Sequence, residues 1–135
     1  MEEKLVENYG IKLDGSFRIT RGNKLRFYRD PGFEVPRAER YGIYLGEIKE
    51  DGIRLNVYSA SWLGRLAEKN VIEISRDEFC RFLRGERMER PLDPGYYIIK
   101  YERDYVGCVR SNGRELIAFL PKEFRASLKR LCEDR

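Results

Sequence analysis

The chain has 135 residues, 41% of them hydrophobic and 37% charged, enough for one ordinary core and too few for two full-sized domains. Its 27 Lys and Arg against 23 Asp and Glu leave a formal charge of only +4, which excludes a histone-like or tail-type nucleic-acid binder and means that any basic surface must come from placement. Three cysteines without a single histidine argue against a zinc site, and the commonest acid–base catalyst is absent.

Cys80, Cys108 and Cys132 are odd in number and far apart. With no N-terminal apolar run to serve as a signal peptide and no long apolar span, the chain reads as cytoplasmic, without a membrane partner, its thiols reduced and at least partly buried. The high charge fits a thermophile's ion-paired surface, and equally an ordinary helix-rich protein.

Residues 1–13 hold one weakly apolar cluster around Leu5 and Val6, readable as a short helix or a frayed lead-in. Phe17 to Thr20 and Lys24 to Arg29 alternate about Arg21-Gly22-Asn23, the pattern of a hairpin, and Pro31 and Pro36 then make a rigid connector. A second hairpin is predicted from Tyr41–Lys49 and Ile53–Tyr58 about Glu50-Asp51-Gly52, with Ile53, Leu55 and Val57 on one face. Ser59 is placed to cap a helix carrying Trp62, Leu63 and Leu66, with Trp62 in the core.

Val71 to Ile74 reads as extended, and Ser75-Arg76-Asp77-Glu78 as a capping box opening a helix that buries Phe79, Phe82 and Leu83 and stops at Gly85. Three strands follow, Tyr96–Tyr101, Tyr105–Arg110 and Arg114–Leu120, with Ser111-Asn112-Gly113 the strongest turn signal. Pro121 opens the last helix, where Phe124, Leu128 and Leu131 form the buried stripe. Lys122, Arg125 and Lys129 share another stripe, which taken alone is a solvated helix face.

Phe82-Leu83-Arg84-Gly85-Glu86, the strand Tyr96–Tyr101, then Tyr105-Val106-Gly107-Cys108-Val109-Arg110, a turn, and Leu120-Pro121-Lys122-Glu123-Phe124-Arg125 together resemble the PUA-like RNA-binding C-terminal domain of RsmF-type RNA cytosine-5 methyltransferases. Tyr41 to Gly52 is similar to the lead-in of the same domain, so the resemblance spans roughly residues 16–126. It implies an α+β fold, a PUA-like small mixed β-barrel with flanking helices, preceded by a β-rich lead-in lobe. Residues 1–75 would form that lobe and 76–135 the RNA-binding module, in one compact unit.

The resemblance also implies a stand-alone, non-catalytic protein, since the chain has no Gly-x-Gly-x-x-Gly after a strand and no cysteine preceded by proline or threonine. No cofactor or metal is expected. The implied partner is structured RNA, tRNA or rRNA, together with an RNA methyltransferase or a ribosome-assembly factor, and not DNA. Lys122, Arg125 and Lys129 would hold phosphates, aided by Arg84, Arg87 and Arg110, while Lys100 borders tyrosine rings able to stack on a base. A protein–protein docking module is the alternative, marked by an exposed apolar patch centred on Tyr and Trp.

Overall fold

The computed structural model describes residues 2–28 and 42–133. The chain begins with helix α1 (Glu2–Tyr9), whose Leu5 and Tyr9 are fully buried, as is Ile11 after it. The Tyr9 hydroxyl donates to the Ile53 carbonyl at 2.6 Å, so the lead-in is part of the core.

Strands β1 (Ser16–Thr20), β2 (Lys24–Tyr28), β3 (Ile43–Lys49) and β4 (Gly52–Leu55) form an antiparallel sheet in that order. Alternation sets its two faces. Leu25, Phe27, Leu45, Ile53 and Leu55 point into the core, while Lys24, Arg26, Tyr44 and Arg54 take the other side. Gly52, at φ 142°, supplies the backbone that the β3–β4 turn needs, as its sequence position predicts. The predicted connector at Pro31–Pro36 lies outside the described residues.

Helix α2 (Val57–Leu63) starts earlier than its sequence suggests. Asn56, not Ser59, is the cap: its side chain accepts from the Ser59 N–H at 2.7 Å. Val57 therefore leaves the strand, and Ser59 instead donates its buried hydroxyl to the Leu45 carbonyl at 2.5 Å. With Ser59, Ala60 and Leu63 on the core side, Trp62 is turned outward and is 36% exposed, which corrects the expectation that it is core.

The second sheet has the order β5 (Val71–Ile74), β7 (Gly95–Tyr101), β8 (Asp104–Ser111), β9 (Glu115–Ala118), β6 (Met88–Glu89), with β5 parallel to β7 and the other pairs antiparallel. Between β5 and β6 runs helix α3 (Arg76–Leu83), opened by the predicted capping box of Ser75 and Glu78 and buried through Phe79, Phe82 and Leu83. The two-residue β6 had no signal of its own, being too short to show a period.

The β7–β8 hairpin is a wall with two buried faces. Tyr96, Ile98 and Cys108 enter one apolar cluster with α1 and the first sheet. Ile99 and Val109 enter a second cluster with Phe79, Phe82 and Leu116. Helices α4 (Lys122–Leu128) and α5 (Arg130–Glu133) close this second side, with Phe124, Leu128 and Cys132 packed half-buried against it.

The expectation of three reduced thiols is corrected here: Cys80 on α3 and Cys132 on α5 form a disulfide, with Cα atoms 5.7 Å apart. Packing of two helices remote in sequence makes this pair, so spacing alone could not reveal it. Cys108 is free and fully enclosed, and burial pushes its thiol up to about 11.

Candidate nucleic-acid interface

A cleft of about 510 Å³ opens where the first sheet meets the end of β9 and the start of α4. Its sides include Tyr44 and Arg54 from the first sheet, Phe119 and Pro121 after β9, Arg125 from α4, and Gly85 after α3. Among the described residues no Asp or Glu lines it. It therefore carries two guanidinium groups among aromatic and apolar walls.

Gly85 lies at φ 78°, where the chain leaves α3 in the left-handed conformation that an L side chain resists. Arg125 uses the resulting space. Its Nη1 lies 3.0 Å from where a Cβ on Gly85 would be, so the Leu83–Glu86 and Leu120–Arg125 segments come together at this point. The Arg125 Nε is enclosed and has no hydrogen-bond partner among the described residues.

On the opposite wall Arg54 sits over the Phe119 ring, 4.6 Å from its centroid, and holds Glu47 at 3.0 Å. Lys49 also holds Glu47, at 2.9 Å, and keeps its carboxyl below the usual range, with Arg54 adding to the effect. Since Lys49 already answers Glu47, Arg54 brings net positive charge to the wall. Arg26 and Lys24 lie over the Tyr44 ring at 5.7 and 5.9 Å and extend the cationic side beyond the cleft. Burial, then the nearby Glu47 charge, pushes the Tyr44 hydroxyl above its ordinary value, so the ring stays neutral.

The fold disperses the seven sequence candidates. Arg125 is in the cleft, and Arg84 at the C-cap of α3 adjoins it but ties its Nε to Glu86 at 2.7 Å. Arg87 faces Glu115 on β9 at 3.9 Å. Lys122 and Lys129 are exposed at the two ends of α4, with no carboxylate within 4.0 Å among the described residues. Arg110, on β8, is bound to Asp51 at 2.7 Å, in a depression beside the cleft that shares Arg54 and Phe119 with it. Burial pushes the Asp51 carboxyl up, but the hydrogen bond and charge of Arg110 outweigh it and the net shift is downward. Lys100 stands apart, over the Tyr105 ring at 5.5 Å and four residues along β7 from the partner of Arg110, about 13 Å away.

The tyrosines near Lys100 are mostly structural. Tyr96 is buried, Tyr97 donates to the Asp93 carbonyl at 2.8 Å, and Tyr101 stacks on Phe79 at 4.8 Å. Sequence reasoning missed Tyr44, Arg54 and Phe119. Alternation of Ile53-Arg54-Leu55 did place Arg54 on the polar side of its strand, but only the packing of the first sheet beside β9 gives it Phe119 as a neighbour.

Among the described residues no cluster of metal-ligating side chains occurs, and no helix is long and apolar enough to cross a membrane. A search of curated proteins gives no significant match. The family described as methyltransferase RsmF PUA domain matches residues 69–126, a span that starts just before β5 and ends inside α4. The match is to the RNA-binding domain of these methyltransferases and not to their catalytic part. Residues 69–126 are thus similar to the PUA domain of RsmF-type methyltransferases, and the α+β fold fits a PUA-like small β-barrel with flanking helices.

Proposed function

We propose that the protein binds structured tRNA or rRNA through backbone contacts and does no chemistry itself. It would act in the cytoplasm, in RNA modification in trans with an RNA methyltransferase or in ribosome assembly, with residues 1–75 as a lead-in lobe to the module of 76–135. The observation that carries this reading is the cleft, which pairs Arg54 and Arg125 across aromatic walls with no carboxylate among the described residues of its lining. Lys122 and Lys129, exposed at the two ends of α4, would add phosphate contacts, and Arg84, Arg87 and Arg110 would contribute once RNA phosphates compete for their carboxylate partners. A cytoplasmic protein with a disulfide suits a hyperthermophile, whose intracellular proteins retain such bonds, and the 37% charge agrees.

A salt titration of binding to bulk tRNA and to rRNA fragments tests the reading. Replacing Lys122, Arg125 and Lys129 together by Ala should flatten the dependence of log K on log salt by roughly two units, at about 0.7 to 0.9 per phosphate contact. An unchanged slope in a folded variant would remove these residues from the interface. Absence of binding by the wild type at low salt would sink RNA binding altogether and leave the docking function. That second reading has its own observation: Tyr58, Trp62 and Leu66 form an outward stripe on and just beyond α2, 75%, 36% and 46% exposed.

A further inference from the structure

We propose that the cleft between the two sheets takes one unpaired nucleotide of the bound RNA, its base against Tyr44 and the Arg54–Phe119 pair and its phosphate on Arg125. This deepens the RNA-binding reading and rests on it. Four observations converge. The volume of about 510 Å³ is that of a small-ligand site, large for one side chain and far too small for a duplex. One wall carries two rings and a guanidinium that lies over one of them, and both ring faces and guanidinium planes stack on bases. The other wall carries Arg125, whose fork suits a phosphate and whose enclosed Nε has no acceptor. Among the described residues the lining holds no carboxylate to repel an anion.

The site also has a defined limit. Among the described residues Asn56 is the one side-chain amide in the lining, and it is held by the backbone: its Nδ2 donates one N–H to the Tyr44 carbonyl at 3.1 Å and its Oδ1 accepts from the Ser59 N–H. At most its second N–H is left to meet a base edge. The cleft therefore distinguishes an unpaired nucleotide from a paired one, with little regard to which base it is.

The inference assigns half of the site to the first sheet, outside the matched residues 69–126. Neither wall suffices alone, because Arg54 and Tyr44 come from β4 and β3 while Phe119 and Arg125 follow β9.

The experiment compares the full chain's affinity for two synthetic RNA hairpins, one fully paired and one with a single bulged nucleotide, at fixed salt. Stacking of one base should make the bulged hairpin bind about five- to a hundredfold tighter. The four possible bulged bases should agree within about threefold. Arg54→Gln and Phe119→Leu, each checked for an unchanged melting transition, should lose most of that preference, the ratio of the two affinities falling toward one. Arg54→Gln serves as the safer variant, because its side chain is half-buried and Lys49 still answers Glu47. Equal affinity of the wild type for both hairpins would overturn the nucleotide pocket and leave RNA binding standing. So would variants that weaken both hairpins alike. Failure of the wild type to bind either hairpin at low salt would overturn both.

Discussion

The cleft and the outer side of α2 are furnished with the same kinds of side chain, aromatic rings beside arginines, yet the fold puts them to different use. In the cleft the rings are half-buried and the cations lie against them or enclosed behind them, Arg54 over Phe119 and Arg125 on Gly85. On α2 the rings stand outward, and Arg65 and Arg103 line a depression beneath Tyr58 together with Tyr105. Cations partly withdrawn from water attract an anion more strongly than solvated ones, whereas an exposed apolar stripe gains by being covered. The two regions should therefore answer to different variables, the cleft to salt and α2 to apolar burial.

The most severe way to break that contrast is to open the disulfide. Cys80 and Cys132 close a loop of 52 residues, so reduction, or Cys132→Ser, should cost about 2 to 4 kcal/mol of stability, read from denaturant unfolding with and without reductant. The bond ties α5 to α3, and with it the α4 segment that carries Arg125. RNA affinity should fall on reduction. The α2 stripe, anchored through Ala60 and Leu63 in the other cluster, should be unaffected. A change in stability without loss of RNA binding would show that the staple does not hold the cleft wall. Alkylation supplies a check, since the half-buried Cys132 should react in the reduced native protein and the enclosed Cys108 only on unfolding.

A smaller effect isolates the contact between two segments, Leu83–Glu86 and Leu120–Arg125. Gly85→Ala forces a side chain into φ 78° and brings its Cβ within 3.0 Å of the Arg125 Nη1. The backbone term is about 1 to 2 kcal/mol. Gly113→Ala is the matched control, because it is strained at φ 96° and meets nothing closer than Pro94 at 3.8 Å. Both variants should lose stability by similar amounts in urea, but only Gly85→Ala should weaken RNA binding. Equal RNA affinities for the two would take Arg125 out of the interface.

What the sequence made legible is what short range decides. The capping box at Ser75 and Glu78, the turn at Asn112-Gly113, the glycine ending α3 and the alternation of β2 all depend on neighbours within a few residues, and all take their expected form. The start of α2 was misplaced because Asn56 and Ser59 are both competent caps, and the choice fell to packing: the Ser59 hydroxyl is used by Leu45 on the first sheet. The resemblance located the C-terminal domain, and periodicity placed Arg125 on a helix. Neither could tell that Arg125 faces Arg54 across a cleft, that Arg110 is bound to Asp51, or that Cys80 meets Cys132. Those are long-range pairings, fixed only when the sheets and helices close on one another.

The mildest test lies on α2 itself. Tyr58→Ser with Leu66→Ser removes two outward side chains, 75% and 46% exposed, and should change stability by no more than about 0.5 kcal/mol per site. Affinity for RNA and its salt slope should stay at the wild-type values, because neither residue lines the cleft. If the stripe serves a protein partner, the double variant should lose that partner in a pull-down with a cognate RNA methyltransferase while still binding RNA. A fall in RNA affinity as large as that caused by Arg54→Gln would instead mean that the RNA runs across both regions. The contrast between a charged cleft and an apolar helix face would then be a division within one RNA-binding surface.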